Sequence, residues 1–432
     1  MRIAIIGAGI SGLTAAWRLR DRHEVRVFEA GAHIGGHTHT HDVELRGRTY
    51  RIDTGFIVHN DRTYPHFLAL MAELGVVTQK AEMSFSVQNP ASGLEYAGTN
   101  LDTLFAQRGN LLRPAFYGML LEILRFNREA PALLEGPEPG PTLADYLRER
   151  RFSRNFIDDY LAPMGAAIWS SPTGRMGDFP ARAFVRFFKN HGLLSVNDRP
   201  QWYVLKGGSR AYVDRMLTSI GDRVHAATPV QRVRRSADGV TLTVAGAGEL
   251  RFDAVVIATH SDQALAVLED PSAAEREVLG AITYQDNDVV LHTDVSLMPR
   301  NRRAWASWNY RLGGSASDMP TVTYDMNRLQ SLDAPETFCV SLNQNAAIAP
   351  DRIVKVLRYA HPVFTSATIA AQARKHEIDG VNRTWYCGAY WRYGFHEDGV
   401  VSALDAINAL SGPEPFAAPG AACSTDRPTT ER

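Results

Sequence analysis

Residues 3–6 are apolar without interruption, and Val25, Val27 and Phe28, broken only by Arg26, follow a stretch with helical spacing of its apolar positions. The pattern predicts strand, helix and strand over residues 1–30. Helical spacing recurs at 64–74, 111–126, 142–150 and 181–189, and the second of these is apolar almost all round, which predicts a buried helix. Period-two alternation marks strands at 41–45, 50–53, 230–233 and 240–244, and residues 252–258 read as a buried parallel strand. Alternating segments from 284 to 345 predict an antiparallel sheet. A last strand at 384–387 leads into a helix from about 399 to 410. The stretch 135–141 is a loop by its Gly and Pro content, and 412–432 has the composition of a disordered tail.

Between the first strand and the first helix lie Gly7, Gly9 and Gly12 in the spacing G-x-G-x-x-G. The second strand ends in Glu29, twenty positions after Gly9. Each part has a task when the ligand is a dinucleotide. Gly7 permits the turn, Gly9 lets backbone approach a pyrophosphate, and Gly12 allows the helix to pack close to the strand. The helix start at Ile10 and Ser11 offers N–H groups and a positive dipole end to phosphates. Glu29, followed by Ala30, suits an adenosine ribose. Strand pieces of this kind appear at the beginning, middle and end of the chain. The expected fold is therefore α/β: a Rossmann-like domain assembled from separate segments (1–75, 201–280 and 376–411). An inserted α+β substrate domain is helical at 76–200 and carries the antiparallel sheet at 281–375.

Composition narrows the class. The 432-residue chain has a net charge of −1, which argues against nucleic acid as a partner. Its three cysteines, Cys339, Cys387 and Cys423, lie far apart, as in a protein of the reducing cytoplasm. No apolar run reaches the ~18–20 residues that span a bilayer. In 181–189, Arg182, Arg186 and Lys189 share one helical face while Phe184, Val185 and Phe188 lie opposite. That arrangement suits either core packing or peripheral contact with the inner membrane face.

In its nucleotide segments the chain resembles the flavin-dependent amine oxidase superfamily, which includes phytoene-desaturase-like and protoporphyrinogen-oxidase-like enzymes. Gly35-Gly36-His37-Thr38 is similar to that superfamily's second glycine pair, with His37 where Arg is frequent. Asp53-Thr54-Gly55-Phe56 resembles the segment beside the flavin ring. Val230 falls on the strand that offers backbone to the adenine, and Ala258-Thr259-His260 resembles the strand end over the adenosine half. Cys387-Gly388-Ala389-Tyr390 and Glu397-Asp398-Gly399-Val400 are similar to the closing flavin motif. The resemblance implies FAD as cofactor, with Gly388 near the phosphate–ribityl region. It also places the N–H groups of Gly399 and Val400 at a helix start facing the flavin pyrimidine edge. The dipole end of such a helix suits the negative charge of a reduced flavin.

A narrower resemblance, carried by Thr38-His39-Thr40-His41, 53–60, 190–194 and 386–390, is to a bacterial NAD/FAD-binding subgroup associated with enzymes that modify lipid acyl chains. It implies hydride removal from a fatty-acyl or lipid C–H bond, a desaturation. Amine oxidation, double-bond isomerisation and a non-catalytic accessory role are the alternatives. His59, His191 and His396 stand near the flavin motifs and are the candidate bases. His37, His39 and His41 alternate on one strand face, but no Cys or carboxylate cluster of zinc spacing accompanies them, so no metal is expected. The aromatic residues Tyr386, Tyr390, Trp391, Tyr393 and Phe395 either shape an apolar cavity or sandwich an amine.

Overall fold

The computed structural model describes residues 1–136, 140–313 and 319–412. Residues 413–432 of the expected tail, and 137–139 of the expected loop, lie outside the described residues.

Five parallel strands form one sheet in the order Val224–His225, Glu24–Phe28, Arg2–Ile6, Ala254–Ile257 and Thr384–Tyr386. Ile5 pairs with Val27 on one side and Val256 on the other, and Val256 pairs in turn with Trp385. Strands from three distant stretches thus lie side by side. Alternation along the first strand splits its side chains between two layers. Ile3 and Ile5 pack with the helices Ile10–Leu19 and His396–Ser411, and Ala4 and Ile6 pack against Val233, Leu242 and Leu279 on the opposite face.

The other half is built on a seven-stranded sheet, ordered Ile353–Pro362, Tyr284–His292, Cys339–Leu342, Val322–Asp325, Trp308–Arg311, Phe85–Asn89 and Leu94–Ala97. The stretch 76–200, expected to be helical, contributes the last two of these strands. One of them pairs parallel with Trp308–Arg311, the rest of the sheet being antiparallel. The two halves meet at Asp53, which is fully buried. Its carboxylate accepts hydrogen bonds from Thr40 Oγ1 (2.5 Å), Ser209 N (2.9 Å), Ser209 Oγ (2.8 Å) and Gln330 Nε2 (3.0 Å). The turn before Ser209 needs glycine: Gly208 has φ +91°, and a Cβ there would lie 2.5 Å from Thr40 Cγ2.

The helix at 181–190 follows the core-packing reading, and the one at 114–129 departs from expectation. In Ala181–Asn190 the side chains of Phe184, Val185, Phe187 and Phe188 are all buried, packed with Trp169 and Phe179. That helix has no aromatic face to offer a membrane. Conversely the helix expected to be buried, Pro114–Glu129, buries only Phe116, Met119 and Phe126 and leaves Tyr117, Leu121 and Leu124 exposed. Apolar content does not reveal which face finds a partner, because burial is settled by distant chain. Among the described residues no helix is long and apolar enough to cross a membrane.

Phe184 stacks on Phe188 at 4.2 Å between ring centroids and touches Trp169, so Phe184→Ala empties the middle of this layer. The substitution is expected to cost about 3–5 kcal/mol, read as a lowered urea midpoint in chemical unfolding.

Candidate flavin and substrate cavity

A cavity of about 1490 Å³ runs between the two halves. That exceeds the roughly 300–1,000 Å³ of ordinary ligand pockets and leaves room for an extended nucleotide and a second molecule. Its wall includes exposed residues, among them Asp262 and Gln263, and Gly98, Thr99 and Arg199.

The nucleotide end begins at the carboxyl ends of the parallel strands. Gly7 (φ +101°) turns the chain where a Cβ would meet Ala258 O at 2.8 Å, and a Cβ on Gly12 would lie 2.0 Å from Gly7 O. At Gly9 an added Cβ meets nothing nearer than Gly36 Cα at 4.0 Å, so this glycine fronts open space on the cavity wall. The helix it starts has no side-chain cap and no acid in its first turn, which leaves its first N–H groups to a ligand. Glu29 is held in place by Ala8 N (2.8 Å) and Gly31 N (2.9 Å), with its carboxylate on the cavity wall. An uncapped helix start, a bare glycine and a fixed acid are what a dinucleotide requires, so the residues present fit FAD.

Of the expected cofactor residues, Gly7, Gly9, Ile10, Ser11, Glu29, Ala30, Gly36, His37, Thr54, Gly55, Phe56, Val230, Ala258, Thr259 and Gly388 line this one cavity. Gly12, Gly35, Thr38, Asp398, Gly399 and Val400 stand behind it. Gly35 N bonds Ala8 O, and the buried Thr38 bonds His396 Nε2 through Oγ1 at 2.9 Å. The closing helix starts at His396, three residues before the expected Gly399, whose N–H already bonds Phe395 O. The free N–H groups are therefore those of the turn before it. The cause is Asp398, whose carboxylate turns back to accept from Phe395 N (2.9 Å) and Tyr393 N (3.2 Å) and so fixes the helix entry. Burial pushes the Asp398 carboxyl up to about 7. Gly399 packs instead against Ile10 and Ser11 of the first helix. Cys387 is buried off the cavity wall, its thiol pushed up to about 12 by burial.

The histidines divide by position. His39 stacks on His33 (centroids 3.9 Å) and meets the tilted ring of His41 (4.1 Å) away from the cavity, and Tyr359 OH joins His39 Nδ1 to Thr54 Oγ1. Among the described residues no group of three or more His, Cys, Asp or Glu is arranged to hold a metal. His37 lines the cavity between Tyr359, His361 and His260, and its buried Nε2 has no protein partner. Burial first, then the neighbouring histidines, holds it neutral.

His396 lies flat on Phe56 at 3.6 Å, and burial lowers it to about 3. His191 also lines the cavity. Its Nδ1 lies 3.0 Å from Phe187 O; a carbonyl only accepts, so Nδ1 carries the proton and Nε2 is the free base. Burial lowers its pKa to about 4. His59 is corrected as a site residue. It stands behind the wall among Tyr64, Phe67 and Tyr203, and neither ring nitrogen has a partner.

Sequence reasoning missed the far end. There Met83, Phe85, Tyr96, Met164, Ile168 and Leu342 make an apolar wall, into which Trp169 and Trp308 bring indole N–H groups without protein partners. Arg199 and its neighbour Tyr160 stand at the mouth. These residues come from five separated stretches with no shared motif, so no spacing in the chain announces them.

Two outcomes test this geometry. Glu29→Ala should weaken FAD retention about ten- to a hundredfold, the scale of a lost charged hydrogen bond, read from flavin absorbance after dialysis. His59 is held to about 4 by burial, whereas the unfolded chain protonates near the ordinary 6.5, so wild type loses stability as pH falls through that window. His59→Phe lacks this penalty. It should gain on wild type by up to about 1.4 kcal/mol per pH unit between those limits, read by urea unfolding at several pH values.

The sequence was compared with known proteins. An L-amino-acid oxidase of Siganus canaliculatus is 24% identical over 346 residues, covering 74% of this chain and 60% of that protein. Amine oxidase [flavin-containing] A of Bos taurus is 26% identical over 253 residues, covering 56% of this chain and 46% of that protein. The chain thus spans about half to three fifths of these curated relatives. Among solved structures, cyclohexylamine oxidase from Brevibacterium oxydans superposes with TM-score 0.70 at 18% identity, over 95% of this chain and 98% of that one. A CLA-producing fatty acid isomerase from P. acnes superposes with TM-score 0.66 at 15% identity, over 95% and 98%. These likenesses show the shared fold. The family described as flavin containing amine oxidoreductase matches residues 10–294, and the chain belongs to that family.

Proposed function

We propose that the protein oxidises a fatty-acyl chain or lipid, removing hydrogen from a C–H bond to make a double bond. The observation that carries this reading is the charge of the cavity wall. Among the described residues its acidic side chains are Glu29 and Asp262, which belong to the nucleotide end, and Asp286, on the strand Tyr284–His292, which is already paired with Arg358 at 2.6 Å. The far end has apolar and aromatic walls and, at its mouth, Arg199, which has no carboxylate partner among the described residues. A cationic amine entering there gives up water without meeting an anion, which is costly. An acyl chain loses nothing, and its carboxylate or phosphate end is suited to Arg199.

When bound, FAD supplies the acceptor for a hydride equivalent. The chain does the rest. The apolar wall orients the acyl chain and excludes water, and His191 Nε2, unprotonated at neutral pH, takes the proton from the adjacent carbon. The relatives named as amine and amino-acid oxidases favour a second reading, in which Tyr393 and Phe395 flank a neutral amine at the cavity wall. The fatty acid isomerase has the same fold, and isomerisation uses the same cavity without net oxidation.

Anaerobic addition of substrate to the FAD-loaded protein separates these readings. Bleaching by a monounsaturated fatty acid or phospholipid supports acyl oxidation. Bleaching by amines alone supports the second reading, and a shifted double bond without lasting bleaching supports the isomerase. His191→Asn should slow acyl-driven bleaching about 10²–10⁴-fold with the flavin still bound.

A further inference from the structure

The exposed face of the helix Pro114–Glu129 has no role in the cavity chemistry. Arg113, Tyr117, Leu121, Leu124 and Arg128 follow one another at helical spacing and come round to one side, opposite the buried Phe116, Met119 and Phe126. Leu121 is 67% exposed and Leu124 53%; beside them, on neighbouring turns, Leu112 is 88% exposed and Leu101 75%. Several large leucines left in water on one helix and the turns before it mark an interaction surface.

Two observations say what covers it. The first is charge. Arg113 and Arg128 end the leucine row, and Arg302 and Arg303 stand on the turn that packs against the short helix Leu101–Leu104. Asp102 is paired with Arg108, Glu122 with Ser153 N (3.0 Å) and Arg125, and Glu129 with Arg128 (3.4 Å), so Arg113, Arg302 and Arg303 carry the positive charge left over. An apolar face in a basic rim complements the headgroups of an anionic bilayer. The second is position. Phe85, Tyr96 and Tyr160 belong both to the cavity wall and to the cluster beneath this helix. Gly98 and Thr99, which line the apolar mouth and are exposed, immediately precede Asn100 and Leu101.

We propose that the face formed by Leu101, Leu112, Tyr117, Leu121 and Leu124 docks on an anionic lipid bilayer and sets the apolar mouth of the cavity at the lipid surface. The helix lies in the plane of the headgroups with its leucines among the upper acyl carbons, and the arginines meet the phosphates. A chain leaving the bilayer then passes Thr99 into the cavity while its headgroup remains near Arg199. The proposal takes its reason for a lipid partner from the acyl-substrate reading, but the docking itself is measured without turnover.

The test is co-sedimentation of the full-length, FAD-loaded protein with vesicles of phosphatidylcholine, with and without phosphatidylglycerol. Wild type should bind the anionic vesicles more tightly than the neutral ones, and less tightly as salt rises. Leu121→Ser should weaken binding at least about tenfold, the scale of one buried leucine. The pair Arg113→Glu and Arg128→Glu should abolish the preference for phosphatidylglycerol. Both variants change exposed positions; a retained flavin spectrum and unchanged melting temperature confirm that they fold. Three results overturn the proposal: no binding by wild type, binding unchanged in Leu121→Ser, or a solution dimer that Leu121→Ser dissociates, which would assign the face to a second copy. Vesicle binding in an enzyme bleached only by amines would overturn the acyl-substrate reading and leave the docking surface standing.

Discussion

Asp53 holds the junction on which the cavity depends. A carboxylate removed from water is costly unless its oxygens are fully engaged, and here the donors come from its own hairpin and from two other segments. Thr40 belongs to the hairpin 40–53, Ser209 to the start of the helix Arg210–Ile220, and Gln330 to the turn that follows a strand of the seven-stranded sheet. Burial still raises this carboxyl to about 6, so the hydrogen bonds offset only part of its desolvation. The return is positional. Thr54, next in the chain, lines the cavity, and its wall is thereby registered against both halves at once.

Much of the nucleotide end was legible because its information is local. Gly7, Gly9, Gly12 and Glu29 act within thirty residues, and each answers a steric or electrostatic need that a short segment settles by itself. The seven-stranded sheet was legible only in part. Alternation announced strands between 284 and 345, but nothing in residues 85–97 says that they pair with strands more than two hundred positions away. The helices 114–129 and 181–190 show the same limit from the side of packing. Their apolar residues were plain, yet which face is covered depends on Trp169, Phe179 and Val87, which no window around either helix contains. His59 followed from proximity in sequence to Thr54-Gly55-Phe56, but the chain turns away after Val58 and buries it behind the wall.

Within the cavity the dominant electrostatic fact is desolvation. His37, His191, His361 and His396 are all lowered chiefly by burial, and His361 comes down to about 4. Neutral imidazoles accept and donate without adding charge, so the charge on the wall near neutral pH is that of Glu29, Asp262, Asp286, Arg199 and Arg358.

The length of the cavity has a consequence for sharing. The glycine-rich strand ends and Glu29 line one part of it, and Met83, Phe85, Tyr96 and Leu342 line another. A nucleotide held at the first leaves the second for a different molecule, and neither has to displace the other.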